Sequence, residues 1–200
     1  MTIAYVFEGR LYVNLTNRCP NNCDFCLRNN VDGVGDASNL WLEKEPNCDE
    51  IWAAIVSKGL ENFPEIVFCG YGEPTCRLDD MLFVCRKIRE LSNIKIRVNT
   101  NGLSNLINNR KTAKEFEGLV DTLSISLNAP NAQRYDEICH SEFGANAFGE
   151  VLEFAKSAKD FVPNVILSIV DKDLSREEIE NCKDLCDKIG VNLKIREYID

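Results

Sequence analysis

The chain has 200 residues, a formal net charge of −9 and ten cysteines. That length suits a single domain over residues 1–200, with chain enough for a sizeable core. No apolar run is long enough to span a bilayer, Met1 to Ala4 opens no signal-peptide pattern, and the acidic balance argues against a nucleic-acid partner. The cysteine count, without a leader, fits a reducing and anaerobic cytoplasm better than a secreted disulfide scaffold. Arg86, Lys87 and Arg89 are spaced as the solvated face of a helix, not as a basic patch.

In chain order, Leu11 to Thr16 is rich in β-formers and predicts a strand that ends where Cys19, Cys23 and Cys26 begin. Residues 29–46 read as a loop, and Asp49 to Leu60 as a helix stopping near Gly59. Glu65 to Cys69 is a continuously apolar strand of the kind buried in a parallel sheet, and it runs into Gly70-Tyr71-Gly72-Glu73-Pro74. That turn suggests backbone exposed to a ligand. A helix over Leu78 to Leu91 follows, then a strand over Ile94 to Val98 ending in Asn99-Thr100-Asn101-Gly102. A helix is predicted over Ser104 to Phe116 and a strand over Asp121 to Leu127, in which Ser124, Ser126 and Asn128 share one face. Helices over Asn131 to Cys139 and Ala147 to Lys159, a strand over Asn164 to Val170, a helix over Arg176 to Ile189 stopped by Gly190, and a strand over Asn192 to Ile199 complete the pattern.

Six strands alternating with helices indicate parallel βαβ units. A closed eight-stranded barrel needs about 250 residues. The fold class is therefore α/β, a partial (β/α)6 barrel of the TIM type. The polar motifs all fall at the C-terminal ends of strands, where parallel α/β folds hold their ligands.

The stretch Cys19-Pro20-Asn21-Asn22-Cys23-Asp24-Phe25-Cys26 carries three thiols at a C-x3-C-x2-C spacing. Thiolates are soft ligands for iron–sulfur clusters, zinc or copper(I). A closed zinc site wants four donors, and the one histidine, His140, is far away in sequence. Three cysteines on a [4Fe–4S] cluster leave one iron open to another ligand.

The three cysteines with Phe25 before the third, Gly70-Tyr71-Gly72-Glu73-Pro74 after the next strand, and Thr100-Asn101-Gly102 after the one beyond resemble the radical S-adenosylmethionine (radical SAM) superfamily. The resemblance covers essentially the whole chain. It implies a [4Fe–4S] cluster on Cys19, Cys23 and Cys26, with S-adenosylmethionine chelating the fourth iron. It places Phe25 near the adenine and Tyr71, Gly72 and Glu73 at the methionine ammonium. Tyr71 stands where the family's turn has its first glycine, and its ring is a candidate for the substrate side. Ser126 and Asn128, with Asn99 and Ser168, match positions that hold SAM's ribose or carboxylate. The implied chemistry is reductive cleavage of SAM to a 5′-deoxyadenosyl radical that takes hydrogen from a small-molecule or peptide substrate, with a flavodoxin- or ferredoxin-type reductant. The opening Tyr12 to Cys19 and the ending Arg196-Glu197-Tyr198 are similar to the small TatD-associated radical SAM proteins.

A glycyl-radical activase is the nearest enzymatic alternative, and RNA methylation fits the acidic charge poorly. The alternative from another class is a non-catalytic iron–sulfur or zinc protein that carries electrons or senses redox state. Cys182 and Cys186 lie four apart on one helix and read as packing thiols. Cys76 is either a thiol at the radical site or a loop cysteine without a role. Cys48, Cys139 and His140 are assigned nothing. The open side of a partial barrel is left for substrate, a partner protein or a second copy of the chain.

Overall fold

The structure, a computed structural model, describes residues 1–172 and 174–198. Seven strands form one sheet whose order in space is the order in the chain. β1 (Ala4–Phe7) and β2 (Arg10–Val13) make an antiparallel hairpin, and β3 (Glu65–Phe68), β4 (Lys95–Thr100), β5 (Thr122–Ser126), β6 (Asn164–Val170) and β7 (Asn192–Arg196) continue in parallel from β2. The helices between them are α1 (Cys48–Lys58), α2 (Leu78–Leu91), α3 (Ser104–Asn108), α4 (Ala132–Cys139), α5 (Asn146–Ala158) and α6 (Arg176–Ile189). β1 and β7 end the order without pairing, so this is the open, partial barrel that the strand spacing predicts.

Two-residue alternation divides each strand between two environments. Ile66, Phe68, Ile96, Val98, Leu123, Ile125, Leu167 and Ile169 point outward and pack with helix residues such as Ile51, Ile55, Met81, Ile88, Val151 and Phe154. Right-handed crossovers put every helix on that outer side. The concave side is built differently. Tyr5, Tyr12, Val67 and Tyr71 form a small separate cluster under Ala37 and Leu40 of the loop over residues 30–46, and the inward positions of β4 to β7 are mostly polar.

Four features differ from the sequence reading. β1 was not expected; it forms because Glu8 and Gly9 both take positive φ (48° and 69°), the geometry of a two-residue hairpin turn matched to strand twist. The strand expected to reach Thr16 stops at Val13; just past it the Asn14 amide donates to the Ile3 carbonyl at 2.8 Å and its side chain to the Leu40 carbonyl at 2.6 Å. The helix over Ser104 to Phe116 breaks at Asn109, whose φ of 49° ends α3 while Asn105 Oδ1 accepts the Thr112 amide; a 3₁₀ turn follows over Ala113–Phe116. The last strand ends at Arg196, and Ile199 lies outside the described residues.

Arg89 is also not a solvated surface residue. Its guanidinium donates to the carbonyls of Leu119 and Ile94 and to Asp121 Oδ2, fixing the end of α2 to the N-terminal edge of the sheet. Burial alone would raise the Asp121 pKa, but the Ile96 amide, Lys95 and Arg89 outweigh it and hold the carboxyl below its usual value. A folded-state pKa below the unfolded one stabilises the fold above the unfolded value, about 4, and that contribution is lost as pH falls through the folded pKa. We therefore expect acid unfolding of the wild type to be steeper than that of Asp121→Asn, which should be less stable at pH 7 but lose less on acidification. Urea titrations at several pH values check this.

Candidate functional site

The C-terminal ends of β2 to β6 meet at one mouth of the barrel, and the cysteine loop lies across it. Cys19, Cys23 and Cys26 are each half-buried. The loop has no regular structure of its own until the short 3₁₀ turn Leu27–Asn29, so its backbone donors need outside partners. The end of α4 supplies them. Asn22 N and Asp24 N donate to the carbonyls of Cys139 and Ile138 at 3.0 and 3.1 Å, and Glu142 N donates to the Pro20 carbonyl at 2.8 Å. The last carbonyls of a helix have no partner within it, so the loop and the helix end satisfy one another. Asn21 Nδ2 to the Tyr135 hydroxyl at 2.9 Å and His140 Nε2 to Asp24 Oδ1 at 2.9 Å complete the docking. No sequence signal foretold this role for α4, since its partners lie more than a hundred residues away.

The turn after β3 presses on the same loop from the other side. A Cβ on Gly70 would lie 2.0 Å from Asn14 Oδ1, and one on Gly72 would lie 2.3 Å from the Thr16 carbonyl oxygen and 2.6 Å from that of Arg18. The sequence suggested backbone exposed to a ligand. Close approach within the chain also requires both glycines, Gly70 by the Asn14 side chain and Gly72 by the backbone at Thr16 and Arg18. The Glu73 amide donates to the Arg18 carbonyl at 2.8 Å within that contact.

Glu73 itself is 4% exposed. Its Oε1 accepts from Thr75 N (3.0 Å), Thr75 Oγ1 (2.7 Å) and Thr100 Oγ1 (2.7 Å), and its Oε2 accepts from Asn101 N (2.7 Å). Burial raises its pKa, against the pull of these four donors. With two oxygens and about four acceptor sites, the carboxylate has capacity left mainly on Oε2. Asn101 also brings its Nδ2 to 3.9 Å from Cys19 Sγ, so Glu73 and the first cysteine share a residue.

The strand-end polar residues fall on neighbouring rungs. Asn99 pairs in register with Ser124, and Ser126 with Ser168. Leu127 N and Asn128 N donate to the Ser168 carbonyl, and Asn128 adopts φ 61° with its Nδ2 at 3.7 Å from Cys139 Sγ. Asn128 thus joins the strand-end set to α4, and Cys139 touches the cysteine loop. Phe25 is partly buried against the outer core beside Cys23. Tyr71 turns into the concave cluster, where its hydroxyl donates to the Val31 carbonyl and its ring meets Trp41 edge-on at 5.1 Å.

The remaining cysteines separate by environment. Cys85, Cys182 and Cys186 are buried in the outer core, and Cys48 donates to Asp80 Oδ1 at 3.1 Å. Cys76 is half-buried beside the turn, its thiol pushed up to about 12 by burial and by the nearby charge of Glu73. Burial, then Glu73, also pushes Cys19 up to about 12, and hydrogen bonding to Cys139 followed by burial raises Cys23.

Among the described residues, no three His, Cys, Asp or Glu side chains converge to hold a single metal ion. Three soft sulfur donors on one open loop fit a cluster better, because each sulfur then binds its own iron. The radical SAM superfamily's sequence profile matches residues 13–186. The chain belongs to the radical SAM superfamily. Members use a [4Fe–4S] cluster and SAM. The chain is 26% identical over 196 residues to the GTP 3′,8-cyclase of Aquifex aeolicus (strain VF5), an alignment covering 95% of this chain and 56% of the cyclase. It therefore spans little more than half of that relative's length. Among solved structures, anSMEcpe with bound AdoMet superposes with a TM-score of 0.68 at 17% identity, covering 94% of this chain and 51% of that one. Streptococcus suis SuiB bound to precursor peptide SuiA gives 0.66 at 18% identity, covering 94% of this chain and 39% of that one. At those identities the likeness is one of fold.

Two variants probe the turn of this radical SAM core. Gly72→Ala must push apart two stretches of backbone, so we expect it to cost about 1–3 kcal/mol, comparable to overpacking a core. Glu73→Gln turns an amide NH2 toward donors that now meet an acceptor, and we expect a loss of about 2 kcal/mol. Urea denaturation of the purified proteins reads both. Wild-type stability in either would contradict the close approach or the four-donor clamp.

Proposed function

We propose that the chain is a radical SAM enzyme whose [4Fe–4S] cluster is held by Cys19, Cys23 and Cys26 and whose substrate is a small molecule or a peptide. When bound and reduced, the cluster supplies the electron that cleaves SAM to methionine and a 5′-deoxyadenosyl radical able to take hydrogen from that substrate. The observation that carries the reading is the bridge through Asn101. It ties Cys19, at 3.9 Å, to the Glu73 turn, at 2.7 Å, at the C-terminal mouth of the barrel.

The chain's own residues bind and orient. Cys19, Cys23 and Cys26 would hold three irons and leave the fourth to SAM. Backbone around Tyr71 and Gly72, with Glu73 Oε2, would accept from the methionine ammonium, since a charge-assisted bond to a buried carboxylate is strong. Ser126, Asn128, Asn99 and Ser168 offer hydroxyl and amide groups for the ribose and carboxylate, and Phe25 an apolar ring for the adenine. The protein's part is positioning, exclusion of water and delivery of an electron from a flavodoxin- or ferredoxin-type reductant. Ten free thiols among the described residues support a reducing, cytoplasmic setting.

The test is anaerobic reconstitution with iron and sulfide, then dithionite and SAM, with 5′-deoxyadenosine measured for the wild type and Cys26→Ala. We expect product from the wild type and background from the variant. A wild type with an intact, reduced cluster and no more product than Cys26→Ala would leave a non-catalytic iron–sulfur protein.

A further inference from the structure

The concave face carries the opposite sign of charge to the molecule around it. In a chain of net charge −9, the inward positions of β2 to β7 hold Arg10, Lys95, Arg97, Lys194 and Arg196 against a single carboxylate, Glu65. Lys95 is taken by Asp121 at the lower edge, at 3.0 Å. Glu65 is shared between Arg10 Nε at 3.1 Å and Arg97 Nη2 at 3.0 Å. Among the described residues, no carboxylate lies within ion-pairing distance of Lys194 or Arg196.

Arg196 reaches from β7 across the concave face to donate Nη2 to Ser124 Oγ on β5, at 2.7 Å. Its Nε is buried without a partner, as are Arg97 Nε and Asn99 Oδ1. Buried donors and acceptors are normally satisfied, so two unpartnered atoms on residues that line one cavity, Arg196 Nε and Asn99 Oδ1, mark a place where a ligand completes the bonding. Arg196 and Asn99 line a cavity of about 180 Å³ with Tyr5, Tyr12 and Cys69, and the cavity reaches Cys26 of the cysteine loop. Burial and the neighbouring Arg97 lower the Arg196 pKa, a repulsion that an incoming anion would relieve. Above the cavity the loop over residues 30–46 is tied down by Tyr71 to Val31, and Asn30 Nδ2 meets the Tyr198 hydroxyl at 2.5 Å across the gap between the two sheet edges.

We propose that this cavity binds a small organic anion, a carboxylate or a phosphate, through Arg196. That the anion is the substrate rests on the radical SAM reading; that it binds does not. Arg196 presents a planar fork suited to two-oxygen recognition. The cavity's contact with Cys26 puts such a ligand within reach of the cofactor mouth.

The test uses the reconstituted holoenzyme with SAM present and anaerobic calorimetry with two probes, inorganic pyrophosphate and succinate, at low and high ionic strength. We expect at least one probe to bind, salt to weaken it, and Arg196→Gln to weaken it by roughly tenfold or more, the size expected of a charge-assisted bond. Arg196→Lys should retain part of the binding, and Lys183→Gln on the outer face of α6 should change nothing. Preference between the probes assigns phosphate or carboxylate. Failure of both probes, equal binding by Arg196→Gln, or an equal loss of SAM affinity in Arg196→Gln would overturn the proposal. 5′-Deoxyadenosine is assayed on the same preparation. Its absence with anion binding intact would sink the radical reading and leave the anion site standing.

Discussion

The site is organised around one buried carboxylate. Glu73 takes hydrogen bonds from its own turn, through Thr75, and from the end of β4, through Thr100 and Asn101. Removing such a group from water is costly, and only dense donation makes it tolerable. The same four bonds that make burial bearable therefore lock two adjacent strand ends at one spacing. The glycines beside it let the turn lie directly on the chain that leads to the cysteines. Position of the thiols is thus inherited from a carboxylate that need not touch iron.

A second lock works from the opposite side. The end of α4 has carbonyls without helical partners, and the cysteine loop has amides without sheet partners. Their pairing closes a circuit from β5, through Asn128 and Cys139, to the loop after β2. The barrel is open between β1 and β7, yet its mouth is tied across by contacts between elements far apart in sequence.

The legible and illegible parts of the sequence divide along that line. The six parallel strands could be read because each is a short apolar run with its own punctuation, and the motifs because they are local strings at strand ends. The hairpin turn at Glu8 and Gly9 went unread because glutamate is a poor signal for positive φ. The break at Asn109 is a choice between helix and left-handed turn that single-residue preferences leave nearly even. Glu73 read as a ligand-facing group, and its donors were invisible because two of the three residues supplying them come from another strand. Arg89 read as solvated from helical spacing alone, whereas the sheet edge beneath it turned a surface position into a staple.

The docking of the cysteine loop has an entropic consequence. A loop that is free before its metal arrives must be ordered at the expense of binding, at roughly 1–2 kcal/mol per residue of backbone. Here the contacts from α4, Tyr135 and His140 are made by protein atoms alone. These contacts belong to the fold, so this part of the loop's ordering would be charged to folding and not to the binding of a cluster. The barrel's own contacts then fix how the cysteine loop lies across the mouth.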